Sequence, residues 1–445
     1  MTSSTALLTD RYELTMLQAA LADGTADRRC VFEVFTRRLP HGRRYGVLAG
    51  TGRVLEALAD FRFGAAELDW LSDEGVVDQR TLEYLASYRF TGSVHGYAEG
   101  EMFFPHSPVL TVDGTFAEAV LLETVVLSIL NYDSAIASAA SRMTSAAIGR
   151  PCLEMGARRA HEEAAVAAAR AAVVAGFAGT SNLEAGRRYG LATIGTAAHA
   201  FTLLHDDETT AFAAQVAAAG PGTTLLVDTY DVRTGVERAV AAAGTGLGAV
   251  RLDSGDLGVL AQEVRAQLDA LGATGTRITV TSDLDEQSIA ALAVAPVDSY
   301  GVGTSLVTGS GAPTCGMVYK LVAREGADGV LAPVAKTSVA KTSVGGRKSA
   351  ARRIGPDGRA VQEVVVVGPD EAVAAWSPEQ AADGTDLRAL VVPLVVDGEA
   401  QPGWTGAEGV RTAAARHHSS REELPRGARR LSADEAALPT VTLTL

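Results

Sequence analysis

Residues 192–303 hold five short apolar runs, each ending in polar residues: Ala192-Thr-Ile-Gly-Thr196, Thr224-Leu-Leu-Val-Asp228, Ala249-Val-Arg-Leu-Asp253, Arg277-Ile-Thr-Val-Thr281 and Ser299-Tyr-Gly-Val-Gly303. Their starts step by about 32, 25, 28 and 22 residues. Each step has room for one strand, one helix and two short loops, the repeating unit of a parallel α/β fold. A β/α barrel and an open doubly wound sheet both use that unit. Polar clusters follow every run: Thr196-Ala-Ala-His199, Asp228-Thr-Tyr-Asp231, Arg251-Leu-Asp-Ser-Gly-Asp256, Thr281-Ser-Asp283 and Gly303-Thr304. A barrel draws its site from the carboxyl ends of all its strands. A doubly wound sheet concentrates the site at one or two switch points. The pattern therefore favours the barrel, and no G-x-G-x-x-G follows the first run to support dinucleotide binding.

Outward from this core, residues 157–175 are alanine-rich and helical, with Glu162 and Glu163 on a polar face. A long helix is expected over about 117–145. Its apolar stretch carries Glu118, Glu123, Asn131, Asp133 and Arg142, too many polar groups for a membrane span. Nearer the N-terminus, Leu14, Leu17 and Leu21 predict a helix over 12–22, and Cys30-Val-Phe-Glu-Val-Phe35 alternates like a strand. Strands are also expected at 92–97 and 109–112, with a basic loop at 37–44 between the helix and these. After Lys320 the chain becomes loop-rich and includes a small tandem repeat, Lys336-Thr-Ser-Val-Ala followed by Lys341-Thr-Ser-Val-Gly. Strands at 361–367 and 387–396 precede a polar tail from about 405, read as a peripheral helix plus an arm.

The chain has 445 residues, 47% of them hydrophobic, ample for packed cores. Lys and Arg number 39 against 53 Asp and Glu, for a net charge of −14. That balance disfavours a nucleic-acid or anionic-membrane binder, so an anionic ligand needs a local basic pocket. Three widely spaced cysteines, Cys30, Cys152 and Cys315, form neither a disulfide framework nor a C-x-x-C zinc site and suit a reducing cytoplasm. Residues 1–10 lack a basic start followed by a long apolar run, so a cytoplasmic protein is expected.

The chemistry concentrates at the strand ends. His199, closing Gly195-Thr-Ala-Ala-His199, can exchange a proton near neutral pH or act as a nucleophile. A satisfied structural histidine is the competing reading. His205 precedes an acidic helix start and reads as helix entry. Arg251 offers bidentate recognition of a carboxylate or phosphate. The nearby aspartates can accept from ribose hydroxyls or hold Mg²⁺ through water, and an internal Arg–Asp pair is the simpler alternative. Gly301-Val-Gly303-Thr304 is a turn whose backbone can approach phosphate closely. Gly179-Thr-Ser-Asn182 supplies either ligand contacts or a helix cap. Arg158 and Arg159 sit near a helix start, where the dipole disfavours cations, which points to an anionic partner, with a plain surface pair as the alternative. Together these groups suit a phosphorylated sugar and a carboxylated partner.

Nearly the whole chain resembles the bacterial type of nicotinate phosphoribosyltransferase. The resemblance rests on Leu8-Thr-Asp-Arg-Tyr12-Glu-Leu-Thr-Met16, Phe32-Glu-Val-Phe-Thr-Arg-Arg-Leu-Pro40, Gly179-Thr-Ser-Asn182, Gly195-Thr196-Ala-Ala-His199, Arg251-Leu-Asp-Ser-Gly-Asp256 and Gly301-Val-Gly-Thr304, in that order. It implies an α/β protein: an irregular TIM-like β/α barrel over 117–325, and a sandwich-like domain built from 1–116 and 326–445. It also implies a homodimer with shared active sites. The family reaction joins nicotinate to phosphoribosyl pyrophosphate and yields nicotinate mononucleotide and pyrophosphate. It is coupled to ATP hydrolysis through a transient phosphohistidine. Mg²⁺ is expected mainly on substrate phosphates, with no dedicated protein ligands. By motif, His199 is the phosphorylated residue, Arg251 and Thr196 hold nicotinate, and Gly303 and Thr304 hold a donor phosphate. Tyr12 stacks on the pyridine ring from the neighbouring protomer, and Asp253 meets the ribose or Mg²⁺. Arg159, Ser181, Asn182, Ser254 and Gly255 complete the substrate-binding set. Ala200 departs from the serine that family members often carry after the histidine. The alternatives are a nicotinamide or quinolinate phosphoribosyltransferase, or a non-catalytic ligand-binding relative.

Overall fold

The computed structural model describes residues 4–336, 343–378 and 386–445, so most of the tandem repeat lies outside the described residues. The chain divides into two compact units, one of Met1–Ser138 with Ala312–Leu445, the other of Ala139–Gly311. The expected barrel limits of 117–325 compare with 139–311 for the second unit. Two segments account for the difference. The long helix Glu123–Ala146 begins in the first unit and ends in the second, and the strand Met317–Glu325 pairs with Arg29–Thr36 inside the first unit.

The first unit is built from both parts of the chain. Its seven-stranded sheet runs in the order Leu331–Pro333, Met317–Glu325, Arg29–Thr36, Leu110–Thr115, Ser93–Tyr97, Val391–Val396, Glu399–Ala400. A four-stranded sheet contains Asp386–Ala389, Arg347–Ile354, Ala360–Gly368 and Thr440–Thr444. The strand Arg29–Thr36 is buried along all but its first residue, not on alternate residues. Both its faces are covered: Phe32 stacks on Tyr319, with centroids 4.8 Å apart, and Glu33 pairs with Lys348 at 2.7 Å. A buried carboxylate is tolerated there because a cation meets it.

The second unit carries a six-stranded parallel sheet. In chain order its strands are β1 (Cys152–Glu154), β2 (Gly179–Thr180), β3 (Thr224–Leu226), β4 (Ala249–Leu252), β5 (Arg277–Val280) and β6 (Ser299–Val302). The spatial order is β2-β1-β6-β5-β4-β3, so the first strand pairs with the last, as in a sheet that curls on itself. Four of the five apolar runs are strands. The run at 192–196 makes only a parallel bridge from Thr193 to Thr180. Ala192, Thr193 and Gly195 are exposed, so this segment lacks the two-sided burial that parallel strands need.

The polar clusters divide their labour. Aspartates at or just past the later end of three clusters cap the next helix: Asp231 accepts from Thr234 N at 2.9 Å, Asp256 from Val259 N at 3.2 Å, and Asp285 from Ser288 N at 2.8 Å. The earlier residues, Asp228, Asp253 and Thr281, are left for other contacts. Among the described residues no helix is long and apolar enough to cross a membrane.

Candidate active site

Two of these, Asp253 and Thr281, line a cleft of about 440 Å³ at the carboxyl ends of the parallel strands. Arg251 projects from β4, and its Nη1 donates to the Thr196 hydroxyl, 55 residues away in sequence. Its Nε is buried with no acceptor. Burial pushes the guanidinium below its usual value, opposed by Asp253 and Asp228, and Arg158 lowers it further. A guanidinium stays protonated regardless, so this is a cation held in a site that favours an incoming anion.

Asp253 follows β4. Its backbone N–H donates to Asp228 Oδ2 at 2.8 Å, and its Oδ1 accepts from the Thr281 hydroxyl. Its Oδ2 lies 3.9 Å from His199 Nε2, with the two side chains 33% and 39% exposed. The other imidazole nitrogen, Nδ1, is 3.1 Å from Thr229 Oγ1. His199 is thus held between a hydroxyl and a carboxylate while remaining open to a ligand. Ser254 Oγ also donates to Asp228 Oδ2, at 2.8 Å, whereas Asp228 Oδ1 is buried with no partner.

Arg158 and Arg159, in the turn Ala157–Arg159, line the cleft beside Ser181, Gly303 and Thr304. Their cost near a helix start is thus met by a position facing a cavity. Gly301 is required for close packing: a Cβ there would sit 2.5 Å from Thr281 Cγ2 and 2.7 Å from Met155 Sδ. Gly255 adopts φ +85°, which favours glycine.

Of the residues singled out from the sequence, Arg159, Ser181, Thr196, Arg251, Asp253, Gly303 and Thr304 line this cleft, with His199 beside Asp253. Ser254 is held by Asp228. Asn182 does not line the cleft; its Oδ1 caps the helix Leu183–Tyr189 by accepting from Ala185 N at 2.9 Å. Tyr12 belongs to the other unit, near the start of helix Arg11–Asp23, and is 44% exposed. Burial, then Glu123 and Glu13, raise its hydroxyl to about 12. Asp228, Thr229, Thr281 and Glu154 had no assigned role. Asp228 and Thr281 were visible as strand-end polar residues, and the signal that separates them from caps is their place first in each cluster.

Comparison with known proteins gives the family. Residues 7–131 match the nicotinate phosphoribosyltransferase N-terminal domain, and residues 151–362 match the nicotinate phosphoribosyltransferase family. The chain is 58% identical over 447 residues to a nicotinate phosphoribosyltransferase (pncB1) of Mycobacterium tuberculosis, covering 98% of this chain and 95% of that one. It is 39% identical over 362 residues to the nicotinate phosphoribosyltransferase of Bacillus subtilis, covering 79% and 74%. The crystal structure of human nicotinic acid phosphoribosyltransferase superposes with a TM-score of 0.82 at 26% identity, covering 98% and 97%. The chain belongs to the nicotinate phosphoribosyltransferase family.

Proposed function

We propose that the protein joins nicotinate to phosphoribosyl pyrophosphate, forming nicotinate mononucleotide and pyrophosphate, with ATP hydrolysis coupled through phosphorylation of His199. The observation that carries this reading is the Arg251–Thr196 pair in one cleft with Asp253, which His199 approaches to 3.9 Å. The nicotinate carboxylate meets Arg251 and Thr196, which leaves the ring nitrogen to attack C1 of the ribose. As that bond forms, the bond from C1 to the pyrophosphate oxygen breaks, and no proton transfer is required. Arg158, Arg159 and the Gly303–Thr304 turn supply cations and backbone donors for the departing and retained phosphates. Asp253 stabilises positive charge developing on the ribose or accepts from its hydroxyls. ATP transfers its terminal phosphoryl group to His199, and water later releases it as phosphate.

The donor set fits Mg²⁺ bound mainly through substrate phosphates. Asp228, with a buried oxygen lacking a partner, and Asp253 would hold the ion or its waters. Mg²⁺ neutralises charge on the pyrophosphate leaving group. The reading includes an irregular, incompletely closed β/α barrel beside a sandwich-like domain, and a cytoplasmic homodimer. The exposed Tyr12 ring suits stacking on nicotinate in a neighbouring protomer's site.

Product formation from three bases tests the assignment. Nicotinate should be strongly preferred over nicotinamide, which lacks the charge for Arg251, and over quinolinate, whose second carboxylate needs a further cation. Equal or greater use of either competitor overturns the base assignment.

A further inference from the structure

Below the cleft lies a carboxylate that the mechanism above does not use. Glu154 ends β1 with none of its surface exposed. One carboxylate oxygen accepts from Gly156 N–H and the other from the Thr180 hydroxyl. Its main-chain oxygen accepts from Ser181 N–H at 2.8 Å. The Thr180 hydroxyl in turn accepts from Asn182 N–H at 2.9 Å. These partners are neutral dipoles. Contrast Glu33, which is equally buried but paired with Lys348. A carboxylate buried on dipoles alone is costly, and a site that needed only packing would be served better by an apolar side chain.

The bonds explain what this side chain secures. Gly156 leads into the turn bearing Arg159, whose N–H donates back to Gly156 O at 2.8 Å. A Cβ on Gly156 would lie 2.3 Å from Val307 Cγ1 and 2.9 Å from Gly303 O, so this turn rests directly on the turn that carries Thr304. The Thr180 and Ser181 bonds tie in the third turn. The buried side chain therefore joins the turn that presents Arg159 to the one that presents Ser181, and the first of these packs on the turn that carries Thr304 in the same cleft. Arg251 and Thr196 make their contact without it.

We propose that Glu154 is a positioning residue for the phosphoribosyl donor: it touches no substrate but sets the spacing of the turns that hold the donor's phosphates. This rests on the phosphoribosyl-transfer reading above. Phosphate recognition by several turns at once tolerates only sub-ångström errors in their spacing. Disturbing Glu154 should therefore weaken donor binding and leave nicotinate binding unchanged.

Two variants test this on the full-length protein. Glu154→Gln keeps the size but replaces one accepting oxygen by an amide donor. Thr180→Val removes only the hydroxyl arm. Donor affinity is measured by calorimetry with phosphoribosyl pyrophosphate and Mg²⁺, and KM is measured for each substrate. The expected result is donor Kd and KM raised about tenfold, the scale of one hydrogen bond to a charged group, with nicotinate KM within about twofold. If Glu154→Gln does not fold, Thr180→Val carries the same expectation. Donor and nicotinate constants that shift together, or a donor constant that does not move, overturn the proposal. A wild-type protein that binds no donor overturns the transfer reading and this proposal with it. Donor binding by wild type with equal binding by both variants overturns the positioning role alone.

Discussion

Arg352 in the first unit, fully buried, and Arg251 in the second, half-buried, are both guanidiniums near carboxylates, yet they end on different partners. Arg352 has no exposed side-chain surface, and its two terminal nitrogens reach Glu101 at 2.7 Å and Glu363 at 2.9 Å. Neighbours extend the set: Arg388 pairs with Glu101 at 2.9 Å and Glu423 at 2.7 Å, and the Tyr97 hydroxyl donates to Glu363 at 2.8 Å. Arg251 donates instead to a neutral hydroxyl, and nearby Asp228 keeps a buried oxygen without a partner. Charge cancelled inside the protein holds the fold together. Charge left facing a cavity with neutral partners awaits a ligand of the opposite sign.

That contrast breaks most readily at Arg352. Replacing it with Met leaves Glu363 buried without a cation and Glu101 with Arg388 alone, and should cost about 3–5 kcal/mol of stability, read from urea unfolding, while the molecules that remain folded keep their KM for nicotinate. Arg251→Ala should do the reverse. We expect kcat/KM for nicotinate to fall about 100-fold or more, the scale for truncating one side of a buried charged contact, with little change in unfolding midpoint. A variant of Arg251 that unfolds as readily as one of Arg352 would erase the distinction.

The smallest effect concerns acid. Burial raises the Glu101 carboxyl, but Arg352 and Arg388 outweigh burial and bring it down to about 2. A carboxylate with a depressed folded value adds stability above the usual carboxylate range and loses it as pH falls towards the folded value. The unfolding midpoint should therefore decline between about pH 4.5 and pH 2, and Glu101→Gln should flatten that decline. An unchanged slope in Glu101→Gln would remove the Arg352 network as its source.

Much of this was legible from residue order. The apolar runs at 224, 249, 277 and 299 are strands, and the helix expected over 12–22 spans Arg11–Asp23. What escaped was too short or too distant to leave a local mark. β1 and β2 have three and two residues, below the length at which alternation can be read. The helix expected over 157–175 opens as a separate turn at Ala157–Arg159 before Glu162–Val174, and that break turns the arginines towards the cleft. The expected strand at 387–396 is two strands in different sheets. His417, read as part of a polar tail, is buried, and burial brings its imidazole down to about 3. Asp228, Thr229 and Glu154 act through partners 25 to 30 residues away. Such pairings follow from strand neighbours in the sheet, which spacing along the chain does not specify.

The central claim is that this cleft performs phosphoribosyl transfer to nicotinate with His199 coupling it to ATP. The direct test incubates wild type and His199→Ala with nicotinate, phosphoribosyl pyrophosphate, ATP and Mg²⁺, and counts nicotinate mononucleotide and ADP together. Wild type should form both in proportion, while His199→Ala should lose ADP formation and keep at most a slow ATP-independent transfer. No mononucleotide from wild type, or proportional ADP from His199→Ala, would contradict the account.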